Sequence, residues 1–310
     1  MAVTLKNISE ICKVDVSTVS RALRNDTRVK AKTREFIQNK AAELGYTPNL
    51  AARNLVSGKT LNLWLVISQL TNPIEQEPAQ FLSQSLHDKG YELLITLYHC
   101  DTEKFNHLLL RLSQHVADGA FIIPSMEYSA PAYLPLLNSN FPLVFIDRHP
   151  TFANCTTVTT NNYDITQKLL ARAAKAGSKY FIIIMDPANS AASQRLDGAV
   201  EFLTQNKLGF TLATEEQIPP AEAMKQPVTI FSSCGLRNDQ YAQKFMTLNR
   251  PPKLISASFD YAPLNKSFFD KILVAEQNFK AIAETAADLM LKKINGDVKA
   301  RTIEIKAKIK

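Results

Sequence analysis

The stretch that decides the reading runs from Thr4 to Lys59. It reads Thr4-Leu5-Lys6-Asn7-Ile8-Ser9-Glu10-Ile11-Cys12, then Val14-Asp15-Val16-Ser17-Thr18-Val19-Ser20-Arg21-Ala22-Leu23, then Lys32-Thr33-Arg34-Glu35 on to Leu44-Gly45-Tyr46-Thr47-Pro48-Asn49. Thr4 is placed to cap a first helix by accepting a bond from a free N–H of its opening turn. Leu5, Ile8, Ile11 and Cys12 form the apolar stripe of a short buried helix. Lys13-Val14 makes the turn, and Asp15 is placed to cap a second helix with its carboxylate at the positive helix end. In that helix Val19, Ala22 and Leu23 share one face and pack on the first helix. Val16, Ser17, Ser20 and Arg21 lie opposite, small or polar, as a helix lying in a major groove requires. Arg21 can reach a guanine edge, and Ser17, Thr18 and Ser20 can bond phosphates or base edges. The competing reading of these positions is an ordinary exposed helix face. A third helix, about Ala31 to Leu44, turns Thr33, Phe36, Ile37, Ala41 and Leu44 inward and ends at Gly45.

After Pro48, the segment Asn49-Leu50-Ala51-Ala52-Arg53-Asn54-Leu55 is helix-capable but too short to be stable alone. It would fold only against DNA or a second copy, with Leu55 as an apolar wedge into a minor-groove step. The alternative is a plain flexible linker. Charge supports the DNA reading independently. Residues 1–59 hold 11 Lys and Arg against 5 Asp and Glu, so +6 of the chain's +7 lies in this first fifth. A local basic field attracts phosphate backbones and releases their counterions.

The 310 residues are 45% hydrophobic, enough for two or three cored domains. No apolar run is long enough to span a membrane, and Met1 to Leu5 leads into a polar amphipathic helix rather than a signal peptide. Cys12, Cys100, Cys155 and Cys234 lie far apart, as structural thiols of a reducing cytoplasm do, and the expected localisation is cytoplasmic. The five histidines have no metal-ligand spacing, so no metal is expected. Gly58-Lys59-Thr60 resembles the end of a phosphate loop, but the required earlier glycine is Arg53, and no GxGxxG is present. No cofactor is expected.

From Leu61 onward, apolar runs of strand length alternate with amphipathic helices. The strands read as Leu61–Ser68, Tyr91–Tyr98, Gly119–Pro124, Pro142–Asp147, Thr156–Thr160, Lys179–Met185, Val228–Ser232, Lys253–Phe259, Lys271–Glu276 and Thr302–Lys308. Repeated βα units predict parallel sheets with helices on both faces. Ligands of such sheets lie outside the carboxyl ends of the strands. Four of those ends are polar: Ser68-Gln69, Asp147-Arg148, Ser232-Ser233 and Asp260, with Arg195 early in a following helix. Two Arg and two Asp in one cleft suit a polyol, with or without a phosphate. Taken singly, each is as readily a surface salt-bridge partner.

These residues resemble the LacI/GalR family of bacterial transcription regulators over nearly the whole chain. The most specific part is Val14 with Thr18-Val19-Ser20-Arg21, then Lys32-Thr33-Arg34, then Leu44-Gly45-Tyr46, Pro48-Asn49, Ala52 and Leu55. The resemblance implies an all-α helix-turn-helix head at 1–47 and a hinge helix at 48–60. It implies an α/β body at 61–310 of two Rossmann-like, periplasmic-binding-protein-like lobes. Lobe 1 would hold about 61–160 and 277–299; lobe 2 would hold 161–276 and 300–310, with crossings near Thr160, Glu276 and Ala300. It also implies that Val16, Ser17 and Arg21 read bases. Thr4, Thr18, Ser20, Asn25, Tyr46 and Asn49 would touch phosphates or sugars, and Ala52 and Leu55 would enter the minor groove. Asp147, Arg195 and Asp260 match the effector positions, and Ser68, Arg148 and Ser233 are added as candidates from the strand ends. A narrower likeness of Phe145–His149, Phe231–Leu236 and Ala257–Asp260 to the sucrose and fructose repressor branch implies fructose or a fructose phosphate.

Three positions depart from the family pattern: Lys13 stands where Gly is usual, Lys30 where Ser caps the third helix, and Asp15 where Ser is common. No C-terminal heptad helix is read, so the resemblance implies a homodimer. The expected activity is a sequence-specific repressor of sugar-utilisation genes, released from a palindromic operator by a sugar effector. An activator or corepressor-dependent regulator is the alternative, and a transport-type sugar-binding protein is a remoter one. An enzyme is not expected, because no nucleophile elbow or paired acid–base set is present.

Overall fold

The computed structural model describes residues 3–48, 54, 58–71, 73–125, 130–150, 155–214, 216–221, 223–248, 250–297 and 299–310. The chain divides into a unit Met1–Thr60 and a unit Leu61–Lys310.

In the first unit, α1 (Leu5–Cys12), α2 (Val16–Leu23) and α3 (Ala31–Glu43) surround Ile8, Val19, Ala22, Val29, Ile37 and Ala41. Thr4 and Asn7 form a reciprocal cap: Asn7 N–H donates to Thr4 Oγ1 at 3.3 Å, and Thr4 N–H donates to Asn7 Oδ1 at 2.9 Å. Lys13 closes α1 in the left-handed conformation, φ 53° and ψ 45°, which a glycine adopts without steric cost. Three expectations for this unit need correction. Asp15 stands at the N-cap of α2, but its side chain makes no capping bond; its carbonyl takes the Thr18 and Val19 N–H groups instead. Ile11 is 50% exposed, because the helical turn sets it on the far side of Ile8 from Leu5 and Cys12. Phe36 is 48% exposed for the same reason, lying off the Ile37–Ala41 face.

Among its described residues the second unit holds two six-stranded sheets. The first runs β11-β5-β4-β3-β1-β2: Thr302–Ile305, Thr157–Thr160, Leu143–Ile146, Gly119–Ile122, Asn62–Ile67 and Glu92–Leu97. The second runs β12-β10-β9-β8-β6-β7: Lys308–Ile309, Lys271–Glu276, Leu254–Phe259, Val228–Ser232, Tyr180–Ile184 and Gly209–Leu212. Among the described residues every pairing is parallel except β10 with β12. Fully buried strands such as β3, β4, β8 and β9 fit sheets covered on both faces.

Each sheet accordingly has two cores. In lobe 1, α4 (Pro73–His87) and α10 (Phe279–Ile294) cover one face, and α5 (Thr102–Ser113) and α6 (Ala130–Asn138) cover the other. In lobe 2, α7 (Asn162–Lys175) and α8 (Ser190–Gln205) pack on one face and α9 (Gly235–Met246) on the other. Among the described residues no helix is long and apolar enough to cross a membrane.

The chain passes between the lobes after Thr160 and after Glu276. The third passage lies at Lys306-Ala307, beyond the expected Ala300. What reads as one strand is two. Ile303 and Ile305 pack on the lobe 1 core, while Ala307 and Ile309 pack on the lobe 2 core. Residues 302–305 therefore belong with lobe 1. The edge strand β7 is absent from the sequence reading, because its short run has little buried surface to give it a pattern.

Candidate functional site

In the head, α2 presents Val16 and Ser17 exposed, with Thr18, Ser20 and Arg21 part-buried beside them. This face is opposite Val19 and Ala22, which are fully buried. The end of α2 is braced: Gln38 Nε2 donates to the Ala22 carbonyl at 3.0 Å and to Asn25 Oδ1 at 2.8 Å. Asn25 sits at φ 57°, a left-handed position its residue type tolerates, and its side-chain oxygen is taken by Gln38. Asp26 next to it is held well below the usual carboxylate range, first by its side-chain bonds from Arg28. Thr4 is exposed with its hydroxyl engaged by Asn7. Tyr46 is part-buried against the head core. Asn49, Ala52 and Leu55 lie outside the described residues.

In the body, the carboxyl ends of β1, β4 and β9 converge with the start of α8. Asp147 follows β4 and Asp260 follows β9. Each is the centre of a three-residue turn at positive φ, 62° and 56°. Arg148 N–H donates to the Ile146 carbonyl at 2.6 Å, and Tyr261 N–H donates to the Phe259 carbonyl at 2.6 Å. The same strained turn thus occurs once per lobe, each time at an aspartate; such strain concentrates where side chains must be aimed. Gly235 permits the lobe 2 turn. A Cβ there would stand 2.3 Å from the Ala262 carbonyl carbon, and its N–H donates to the Tyr261 carbonyl at 2.9 Å.

Arg195 lies between the two acids and is 3% exposed. Its Nε donates to Asn162 Oδ1 at 2.7 Å, and its guanidinium stacks 3.6 Å from the Phe259 ring centroid. Burial pulls its pKa down, while Asp147 and Asp260 push it up. Two buried polar atoms here have no partner: Arg195 Nη2 and Asp147 Oδ1. A buried donor and a buried acceptor are thus left open at the strand ends, and each costs about 1–3 kcal/mol while unmade. The lobes meet nearby, where His149 N–H donates to Ser190 Oγ at 3.0 Å.

Asp260 keeps part of its surface exposed, yet burial pushes its carboxyl up to about 6, with Arg195 and Gln277 opposing. Gln277 donates to it twice, from N at 2.9 Å and Nε2 at 2.8 Å, and accepts from the Thr160 hydroxyl at 2.5 Å. Gln277 and Thr160 belong to the first two lobe crossings. Asn161 ties in the third, accepting from Ala307 N–H at 3.1 Å.

The sequence reading brings Asp147, Arg148, Arg195 and Asp260 together, and the structure does so too. Ser68 and Ser233 differ. Ser68 is buried and both its N–H and hydroxyl donate to Glu75, so neither is open to a ligand. Among the described residues no bond joins Ser233 to the Asp147–Arg195–Asp260 group; it is part-buried where β8 meets α9. Glu75 and Gln277 are the residues that sequence reasoning misses. Glu75 is a first-turn acid of α4 and Gln277 follows directly on β10, and nothing in the local pattern marks either.

Residues 4–49 match the family profile described as "Bacterial regulatory proteins, lacI family". The chain is similar to the HTH-type transcriptional regulator KdgR of Bacillus subtilis (strain 168), 26% identical over 327 aligned residues, covering 99% of this chain and 96% of the relative. It is 27% identical to the sucrose operon repressor of Lactococcus lactis subsp. lactis, covering 95% of this chain and 94% of the relative. Among solved structures, the lac repressor dimer bound to operator and the anti-inducer ONPF aligns with a TM-score of 0.79 at 16% identity, over 100% of this chain and 98% of that one. The Cra transcriptional dual regulator of Pseudomonas putida in complex with fructose 1-phosphate aligns with a TM-score of 0.69 at 18% identity, over 81% and 98%. At these identities the structural likeness speaks for the fold.

Proposed function

We propose, from the premise that this chain belongs to the LacI family of bacterial regulators, that it is a sequence-specific DNA-binding repressor of sugar-utilisation genes. Two copies place α2 in successive major grooves of a palindromic operator. Val16, Ser17 and Arg21 read base edges. Thr4, Thr18, Ser20, Asn25, Tyr46 and Asn49 hold the phosphate and sugar backbone. Ala52 and Leu55 enter the minor groove. A small sugar or sugar phosphate, with fructose or a fructose phosphate as the first candidates, lies between the lobes against Asp147, Arg148, Arg195 and Asp260. Binding there lowers operator affinity. The effector can shift this balance only by its differential affinity for the two states, about 1–3 kcal/mol.

One observation carries the effector half of this reading: the open donor on Arg195 and the open acceptor on Asp147, buried together at the strand ends where the two lobes meet. The names of the relatives support the sugar class, since one is a sucrose operon repressor. The test is a band-shift assay on DNA upstream of its own gene and of neighbouring sugar genes, with and without sugars. Equal affinity for those fragments and for random duplex at moderate ionic strength would refute the reading. A reporter strain lacking the gene gives the sign of regulation: a fall in reporter on deletion would replace repressor by activator.

A further inference from the structure

Beside Asp147 and Arg148 stands an acid with no role in the function proposed above. Glu75, in the first turn of α4, is 0% exposed. Its Oε2 accepts from Ser68 N–H at 2.8 Å and from Gln69 N–H at 2.9 Å, and its Oε1 accepts from the Ser68 hydroxyl at 2.7 Å. Arg148 Nη1 lies 3.9 Å from Oε1. Two consecutive main-chain N–H groups and a hydroxyl just past the end of β1, with a guanidinium nearby, make a seat for an anion. The chain fills this seat with its own carboxylate.

Arg148 is engaged a second time, with Nε 3.4 Å from Asp147 Oδ2. Arg195 lies in the fields of Asp147 and Asp260. Glu77, also in the opening turns of α4, acts across the cleft on Tyr261, whose phenol is pushed up by burial first and by Glu77 next. Three acids, Glu75, Asp147 and Asp260, thus act on two arginines, and Glu77 adds a fourth negative charge near Tyr261.

We propose that Glu75 is a specificity-determining residue: a resident anion that occupies the phosphate-competent seat, so that the cleft takes uncharged polyhydroxy ligands and rejects their phosphate esters. This rests on the effector-cleft reading above. An ester approaching Arg148 meets the Glu75 and Asp147 carboxylates in a site of low dielectric. To reach the seat it must displace Glu75 from its donors and leave a buried carboxylate unpaired. A hydroxyl group meets no such barrier. It can donate to Asp147 Oδ1 and accept from Arg195 Nη2, the two atoms without partners.

The full-length chain is titrated by calorimetry with fructose, sucrose, fructose 1-phosphate and fructose 6-phosphate, and its melting is followed with inorganic phosphate. The wild type, Glu75→Gln, and Glu75→Gln combined with Arg148→Ala are compared. Gln is isosteric, and its oxygen still accepts from Ser68 and Gln69. The wild type is expected to prefer an uncharged sugar over its ester by about tenfold or more, and Glu75→Gln to shift that ratio toward the ester by a similar factor. Inorganic phosphate should raise the melting temperature of Glu75→Gln alone, and Arg148→Ala should remove the effect. A wild type that prefers the ester overturns the proposal, whether or not the variant folds. An unchanged ratio and no phosphate response in a folded Glu75→Gln overturn it as well. If no sugar of either kind binds, the effector reading fails by itself, and the phosphate response then decides for or against Glu75.

Discussion

Replacing Asp260 by Asn should change how the stability of the body depends on pH. Burial pushes this carboxyl from 3.8 up to about 6, with Arg195 and two Gln277 bonds pulling it down and Asp147 pushing it up. A carboxyl with a raised folded-state pKa binds its proton more tightly when folded. Stability from this group is therefore intact below about pH 4, declines as pH rises, and is fully lost above about pH 6. Two pKa units correspond to about 3 kcal/mol, and partial exposure of the residue reduces that to roughly 1–2 kcal/mol. Asn cannot titrate. Its amide also meets Gln277 Nε2 donor to donor, but that penalty is the same at every pH and drops out of the comparison. Urea unfolding followed through Trp64, the chain's one tryptophan and buried in lobe 1, reads the body directly. The stability of Asp260→Asn relative to wild type should grow by about 1–2 kcal/mol between about pH 4 and 7.5. Groups away from the cleft titrate alike in both proteins and cancel. A constant difference across that range would refute the buried-acid account, and a difference that shrinks would reverse it. The same substitution should abolish the response to sugar, a trade of stability against function common at binding sites.

Lys13→Gly should stabilise the head by about 0.5–1 kcal/mol, because φ 53° is free for glycine and strained for lysine; a lower melting temperature of the head would show that the turn is held otherwise. Gly235→Ala should destabilise the body by about 1–3 kcal/mol and weaken sugar binding, since its Cβ would strike the Tyr261–Pro263 backbone behind Asp260; unchanged urea midpoints would sink this. Arg21→Ala should relax or abolish site preference in band shifts while leaving weak binding to random duplex; unaltered preference would remove Arg21 from base reading.

What the sequence makes legible is what local chemistry decides. The Thr4 cap and the α2 face follow from residue type and spacing over one or two turns. Asp147, Asp260 and Arg195 are legible because polar residues at apolar strand ends stand out. Glu75 does not stand out: a glutamate in the first turn of a helix is ordinary, and only the fold sets Ser68, Gln69 and Arg148 around it. Ser68 looked open to a ligand for the same reason. The split of the last strand was hidden because Ile303, Ile305, Ala307 and Ile309 keep one period-two pattern through a change of sheet, and alternation carries no mark of which sheet receives it. Ile11 and Phe36 show the limit of a stripe read by residue type. Both are apolar and near the buried face, yet helical geometry turns each outward.

The two aspartates also bear on how the cleft can respond to a ligand. Each sits in a positive-φ turn that is fixed twice, once by the adjoining strand and once by its own turn bond. Asp147 N–H donates to the Val158 carbonyl at 2.8 Å, and Asp260 N–H donates to the Ala275 carbonyl at 2.9 Å. Backbone strain of about 1–3 kcal/mol per residue persists only where the surroundings over-determine it, as these paired bonds do. The acceptors are therefore aimed before any ligand arrives, and little ordering cost remains at binding. The lobes are joined at the crossings. There Asp260 is bonded to Gln277, Gln277 to Thr160, and Asn161 to Ala307, so all three connections are tied into hydrogen bonds at the lobe boundary. A ligand hydroxyl that donates to Asp260 would compete directly with Gln277 for the same carboxylate. Binding at the strand ends would then loosen the Asp260–Gln277 bond, and because Gln277 also holds Thr160 of the first crossing, the cleft would act on the setting of its lobes through that one side chain.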